Sequence, residues 1–223
     1  MPLRTVPFVD GEFYHVYNRG VNRRKIFLKE RNYTKFLQTI EYYSFINHRL
    51  RLSDYLNLSP EIKADYFNKL TYKSIEIISF ALMPNHFHFL LKQTDEKGIT
   101  NFMRLFENSY TRYFNLKHER VGHLFQGQFK AVHIETNEQL LHISRYIHLN
   151  PLTSFLVKSI KELEEYPWSS YPTYIGKGDP LKFVNPKPIL EQFKNLESYQ
   201  NFVSNQSSYQ QELDLVKHLT LEE

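Results

Sequence analysis

Apolar and polar positions alternate over Glu12–Arg19 (EFYHVYNR), with Phe, Val and Tyr prominent, and this predicts a strand. The period then changes. Tyr33, Phe36, Leu37, Ile40 and Tyr43 recur at helical spacing, so an amphipathic helix is expected from Glu30 to about Asn47. Residues 49–71 read as an insertion. Within it Ser59 and Pro60 pair a capping side chain with a first-turn proline, predicting a short helix over Pro60–Leu70. Two apolar runs follow, Ser74–Leu82 and His86–Lys92, joined by Met83-Pro84-Asn85. They predict a hairpin of two largely buried strands. Gly98 and Thr100 open a second helix with the stripe Ile99, Phe102, Met103, Phe106, Tyr110, Tyr113 and Phe114. A fourth strand is expected near Gln128–Ile134. A third helix should run from about Asn137 to Asn150 and stop at Pro151.

Strand–helix–strand–strand–helix–strand is the order of a split β-α-β unit. It predicts an α+β fold of the ferredoxin-like (RRM-like) kind, an antiparallel sheet with helices on one face. The main domain is expected over residues 1–151, with the insertion at about 49–71. Residues 152–223 carry turn signals, among them Pro167, Pro172, Gly176, Gly178 and Pro180, then helical patterns near 187–204 and 207–220. They read as a C-terminal helical extension packed on the core.

Composition narrows the chemistry. The chain has 223 residues and no cysteine, which excludes disulfides, thiol nucleophiles and thiolate metal sites. Any metal would need His, carboxylate, amide or phosphate ligands. No apolar run is long enough to span a bilayer and the N-terminal stretch has no apolar core of a signal peptide, so a cytoplasmic protein without a membrane partner is expected. The net charge of +4 is uneven. Residues 1–50 hold nine basic and four acidic side chains, and residues 201–223 hold one and four. A basic front half and an acidic tail suit a polyanion on one face, although charge alone equally describes a mildly basic soluble protein.

The sharpest chemical feature is His86-Phe87-His88. Side chains i and i+2 of a strand share a face, so both imidazoles can grip one divalent ion that also holds a phosphate oxygen. The pair taken alone is equally consistent with partly buried polar histidines. The second feature is the helical stripe His142, Tyr146, Asn150. It is polar for a core stripe, and Asn150 can lend an amide oxygen to a metal. The bland reading is a core tyrosine on a helix that Asn150 caps. A phenol has a pKa near ~10 and attacks phosphorus poorly without help. An ion on the scissile phosphate supplies that help, giving a 5′-phosphotyrosine link and a free 3′-OH.

Several motifs occur in order: Tyr14-His15-Val16-Tyr17-Asn18-Arg19-Gly20, Met83-Pro84-Asn85-His86-Phe87-His88, Gly122-His123-Leu124-Phe125-Gln126-Gly127, Phe129-Lys130, Tyr146-Ile147-His148-Leu149-Asn150-Pro151 and Tyr166-Pro167-Trp168-Ser169-Ser170-Tyr171. By these the sequence resembles the HUH single-tyrosine transposase family, especially its REP-associated tyrosine transposase branch. (HUH denotes His-hydrophobe-His.) The resemblance covers about residues 13–175. It implies that His86 and His88 ligate Mg²⁺ or Mn²⁺, that Asn150 is the third ligand and that Tyr146 is the nucleophile. It also implies a single-stranded DNA substrate, often near a hairpin, an enzyme that needs no ATP, a monomer or homodimer, and a place near the nucleoid. Many relatives carry Arg where this chain has Gln128, before Phe129-Lys130.

Candidate DNA contacts are Arg19, Arg23, Arg24 and Lys25 after the first strand, Arg104 and Arg112 on the second helix, and Lys130. Solvated turns and a plain helix face are the ordinary alternatives for these cations. His15 reads as a packed strand histidine that could also lie beneath the metal site. Trp168 and Tyr171 read as tail-to-core packing, with base stacking as the other role. The leading expectation is metal-dependent cleavage and strand transfer of single-stranded DNA. The alternatives are a non-catalytic single-stranded nucleic-acid-binding module and a phosphodiesterase that uses water.

Overall fold

The computed structural model describes residues 7–205. The expected helix at 207–220 lies outside them. Strands β1 (Phe13–Arg19), β2 (Ile75–Met83), β3 (His86–Gln93) and β4 (Lys130–Ile134) form one antiparallel sheet in the order β2-β3-β1-β4. This is the strand order of the ferredoxin-like fold. Helices α1 (Glu30–Tyr43) and α4 (Gly98–Lys117) cover one face. The two-residue alternation of β3 decides what they cover. Phe87 and Phe89 point at Phe36 of α1 and Phe106 of α4, with ring centroids 4.6–6.3 Å apart among them.

The other face belongs to α5 (Asn137–Thr153). It starts where Thr136 caps the backbone N–H of Gln139 and the Gln139 side chain answers in a capping box. Contrary to expectation, Pro151 does not stop it. The helix continues to Thr153 with Pro151 buried inside its last turn. A proline there removes one donor, and the end is closed by Leu156 and Val157, whose N–H groups both donate to the Pro151 carbonyl. The first helix is also shorter than its pattern suggests, ending at Tyr43. In the insertion, α3 (Pro60–Asn68) starts at the Ser59 cap as expected, and α2 (Leu52–Leu56) precedes it without a sequence signal.

Beyond α5 come four short helices, α6 (Ile160–Glu164), α7 (Tyr171–Tyr174), α8 (Lys187–Leu190) and α9 (Leu196–Ser204). The pattern at 187–204 thus resolves into two helices rather than one. Hydroxyls stitch this segment to the β2 edge. Tyr166 donates to the Leu82 carbonyl at 2.7 Å, Tyr174 to that of Ile78 at 2.9 Å, and the Ser170 hydroxyl accepts from Phe80 N–H at 2.9 Å. Trp168 stacks on Tyr33 of α1 at 4.7 Å. No helix among the described residues is long and apolar enough to cross a membrane.

One buried network ties α5 to this segment. His148 is wholly buried, with Nδ1 2.6 Å from the Tyr199 hydroxyl and Nε2 2.7 Å from the Ser170 hydroxyl. Burial pushes its imidazole down from 6.5 to about 3. The folded protein therefore refuses a proton that the unfolded chain accepts below 6.5. The linkage sign follows: His148 leaves stability unchanged above 6.5, and stability falls as pH drops from there toward 3. At about pH 5 the loss is about 2 kcal/mol. Urea unfolding of wild type and His148→Gln across this range should show that part of the pH slope vanish in the variant, which is itself less stable at neutral pH.

Candidate active site

The antiparallel register sets Tyr17 opposite His88 and Arg19 opposite His86, so all four side chains rise from the face that α5 covers. Ala81 of β2 faces His88 from the other side, too small to fill the space. The His86 and His88 rings are 5.0 Å apart and perpendicular. The Tyr146 ring meets His88 edge-on at 5.5 Å and His15 edge-on at 6.0 Å. Tyr146 is 5% exposed and Asn150, one turn on, 2%. Asn150 Oδ1 accepts from the Ser154 hydroxyl at 3.4 Å. His142, on the same sequence stripe, lies instead beside Phe202 and 3.8 Å from the Glu138 carboxylate.

Both histidines use Nδ1. That of His86 lies 2.7 Å from Asn85 Oδ1, and Asn85 Nδ2 donates to the Arg23 carbonyl at 3.3 Å. The amide oxygen can only accept, so the His86 proton sits on Nδ1 and the lone pair on Nε2. His88 Nδ1 lies 2.9 Å from His15 Nε2. This leaves two Nε2 atoms of the kind a divalent ion takes, with the opposite nitrogens engaged as metal-bound histidines require. The donor set therefore fits such an ion. Among the described residues no three His, Cys, Asp or Glu side chains gather to hold one. The pair would need oxygen donors such as an amide, a phosphate or water.

A cleft of about 380 Å³ opens beside the pair. Tyr17, Asn18, Arg19, Arg23, Asn85, His86, His88, Gln126, Gln128 and Lys130 line it. Three cations and several amides thus surround the histidines. Arg19 Nε donates to Gln126 Oε1 at 2.7 Å, and Asn18 Nδ2 to Glu107 Oε1 at 2.9 Å. The loop after β1 is laced to the β2–β3 turn. Gly20 N–H donates to the Asn85 carbonyl, and Ile26 and Phe27 N–H groups both donate to that of Pro84. Asn22 and Arg23 adopt left-handed backbone within it, which turns the chain tightly enough to bring Arg23 to the cleft.

The remaining sequence candidates separate. Arg19, Arg23 and Lys130 share the cleft with the histidines. Burial and then the neighbouring Arg24 charge lower the Arg120 pKa, which sets Arg24 beside Arg120 past the end of α4. Lys25 is exposed on the same loop. Arg104 and Arg112 are exposed on α4, behind the sheet face that carries the histidines. The structure adds residues that the motifs did not single out for the site: Tyr17, Asn18, Asn85 and Gln126. His15, read as packed or as lying beneath the site, is buried against His88. Phase alone could have flagged Tyr17, which alternates with His15 on β1.

A methyl group at Gly20 would lie 2.2 Å from the Arg24 carbonyl oxygen. Gly20→Ala should therefore force the Arg23–Arg24 loop outward and cost about 1–3 kcal/mol. Thermal unfolding checks the cost, and a distorted loop should also weaken polyanion binding relative to a surface control such as Thr100→Ala, exposed in the first turn of α4.

A family model described as "Transposase IS200 like" matches residues 11–150. Among solved structures the chain is similar to a REP-associated tyrosine transposase bound to a REP hairpin. The identity is 16% and the TM-score 0.55, over 83% of this chain and 92% of that one. A structure from Deinococcus radiodurans R1 described as a transposase aligns at 15% identity and TM-score 0.36, over 66% of this chain and 95% of that one. No curated protein matches.

Proposed function

Because this chain belongs to the IS200-like transposase family, we propose that it cleaves and rejoins single-stranded DNA through a covalent link to Tyr146. The observation that carries this reading is the Tyr146 ring resting on His88, which itself adjoins His86. A phenol and an imidazole pair on opposing elements have no joint structural need that a Leu and a Val would not meet. Their juxtaposition beside a cationic cleft suits attack on phosphorus.

In this reading Arg19, Arg23 and Lys130 draw the DNA backbone into the cleft and neutralise its phosphates. His86 and His88 would hold Mg²⁺ or Mn²⁺, with the Asn150 amide as the candidate third protein donor. When bound, the ion supplies charge neutralisation and orientation at the scissile phosphate. Tyr146 Oη forms a bond to phosphorus and its proton passes to solvent. The P–O3′ bond breaks, and the 3′ oxygen leaves as a hydroxyl once protonated. The phosphotyrosine keeps the energy of the broken linkage, so a new 3′-OH can reverse the step and complete a strand transfer. Gln126 and Gln128, which also line the cleft, are the candidate amides to meet unpaired bases beside the break. A hairpin next to the cleavage site is the expected DNA form; the solved structure similar to this one is bound to a REP hairpin.

The test uses labelled single-stranded oligonucleotides with and without hairpins, incubated with Mn²⁺ or Mg²⁺. A detergent-resistant protein–DNA adduct should form, disappear on chelation and be absent in Tyr146→Phe, which still binds DNA. His86→Ala should lose the adduct by a factor of about 10² or more. Binding that ignores metal, with no adduct from any oligonucleotide, would instead identify a nucleic-acid-binding module. Cleavage that survives Tyr146→Phe would mean that water is the nucleophile.

A further inference from the structure

The fully buried His15 ring is stacked on the His88 ring, with centroids 5.1 Å apart and planes 17° from parallel. Its Nε2 reaches His88 Nδ1 at 2.9 Å. The same ring stacks on Tyr17 at 5.0 Å and takes the Tyr146 ring on its edge at 6.0 Å. One side chain of β1 thus touches both a candidate metal ligand and the candidate nucleophile. A packed strand histidine needs only one partner of any kind. This one spends its Nε2 on the ring nitrogen that decides what His88 can do.

Two neutral imidazoles sharing an edge hold one proton between them. If it sits on His15, His88 is protonated at Nε2 and that nitrogen is blocked. If it sits on His88 Nδ1, the lone pair of His88 is at Nε2, matching His86, whose proton is fixed on Nδ1 by Asn85. We propose that His15 is a positioning residue whose Nε2 accepts a hydrogen bond from His88 Nδ1–H, so presenting the His88 Nε2 lone pair to a divalent cation and setting the His88–Tyr146 spacing. The cation part rests on the metal-dependent reading above. The tautomer part does not.

The test begins with the metal-free wild-type protein and long-range ¹H–¹⁵N correlations of its histidine rings. His88 should be in the Nδ1–H form, whereas an imidazole without such a partner favours Nε2–H. His15→Leu, similar in bulk but unable to accept, should shift His88 toward Nε2–H. It should also weaken Mn²⁺ binding, followed by the electron paramagnetic resonance of free Mn²⁺, by about 10- to 100-fold. His15→Gln keeps an acceptor within reach of His88 Nδ1 and should restore both the tautomer and most of the affinity. A purely packing role predicts the opposite order, with Leu at least as good as Gln. Finding His88 as Nε2–H in the wild type would overturn the proposal and requires no variant to fold. So would a His15→Leu protein with unchanged tautomer and Mn²⁺ affinity. His86→Ala separates the two readings. If that variant binds Mn²⁺ like the wild type, the metal site fails, while the His88 tautomer still reports on the His15 contact.

Discussion

The pairing register of β1 against β3 is the constraint from which the site follows. With Tyr17 across from His88 and Arg19 across from His86, one sheet face collects His15, Tyr17, Arg19, His86 and His88. The opposite face collects Tyr14, Val16, Phe87 and Phe89. A slip of one residue would exchange the two sets, burying imidazoles against Phe36 and Phe106 and exposing phenylalanines at the cleft. The apolar core on the α1–α4 side forbids that slip. The core therefore does more than stabilise the fold: it sets which strand residues can perform chemistry.

The second face asks more of α5. Tyr146 reaches the His88 and His15 rings, while His148, two residues on, turns toward Ser170 and Tyr199. Buried polar groups of this kind are costly unless satisfied, and both His148 nitrogens are. A fully satisfied polar pair fixes rotation and register of a helix more tightly than apolar packing does. Tyr146 is thereby aimed from behind, by contacts that do not touch it.

Much of this was legible in the sequence because it depends on local periodicity. The Ile99–Phe114 stripe, the hairpin around Met83-Pro84-Asn85 and the alternation of His86 with His88 each follow from spacing within one element. What escaped depends on partners distant in sequence. The short α2 has no side-chain cap and takes shape from tertiary contact, and the break between α8 and α9 interrupts a continuous helical pattern although Asn195 caps α9 with its side chain. Pro151 misled because its lost hydrogen bond falls in a last turn, where Leu156 and Val157 close the end by other bonds. His15 stayed ambiguous for a sharper reason: alternation shows which residues of β1 share a face, but not which residues of β3 they meet.

The buried tie between His148 and the segment carrying Ser170 and Tyr199 bears on how such a gene loses function. A frameshift or stop codon just after residue 151 would leave the histidine pair, the tyrosine and the whole stretch matched by the family model intact. It would delete both hydroxyls that complete the His148 network. The truncated copy would still read as a transposase by its motifs while lacking the buried contacts that fix the helix carrying Tyr146. Counting intact copies in a genome by motif alone would then overstate the number that are competent.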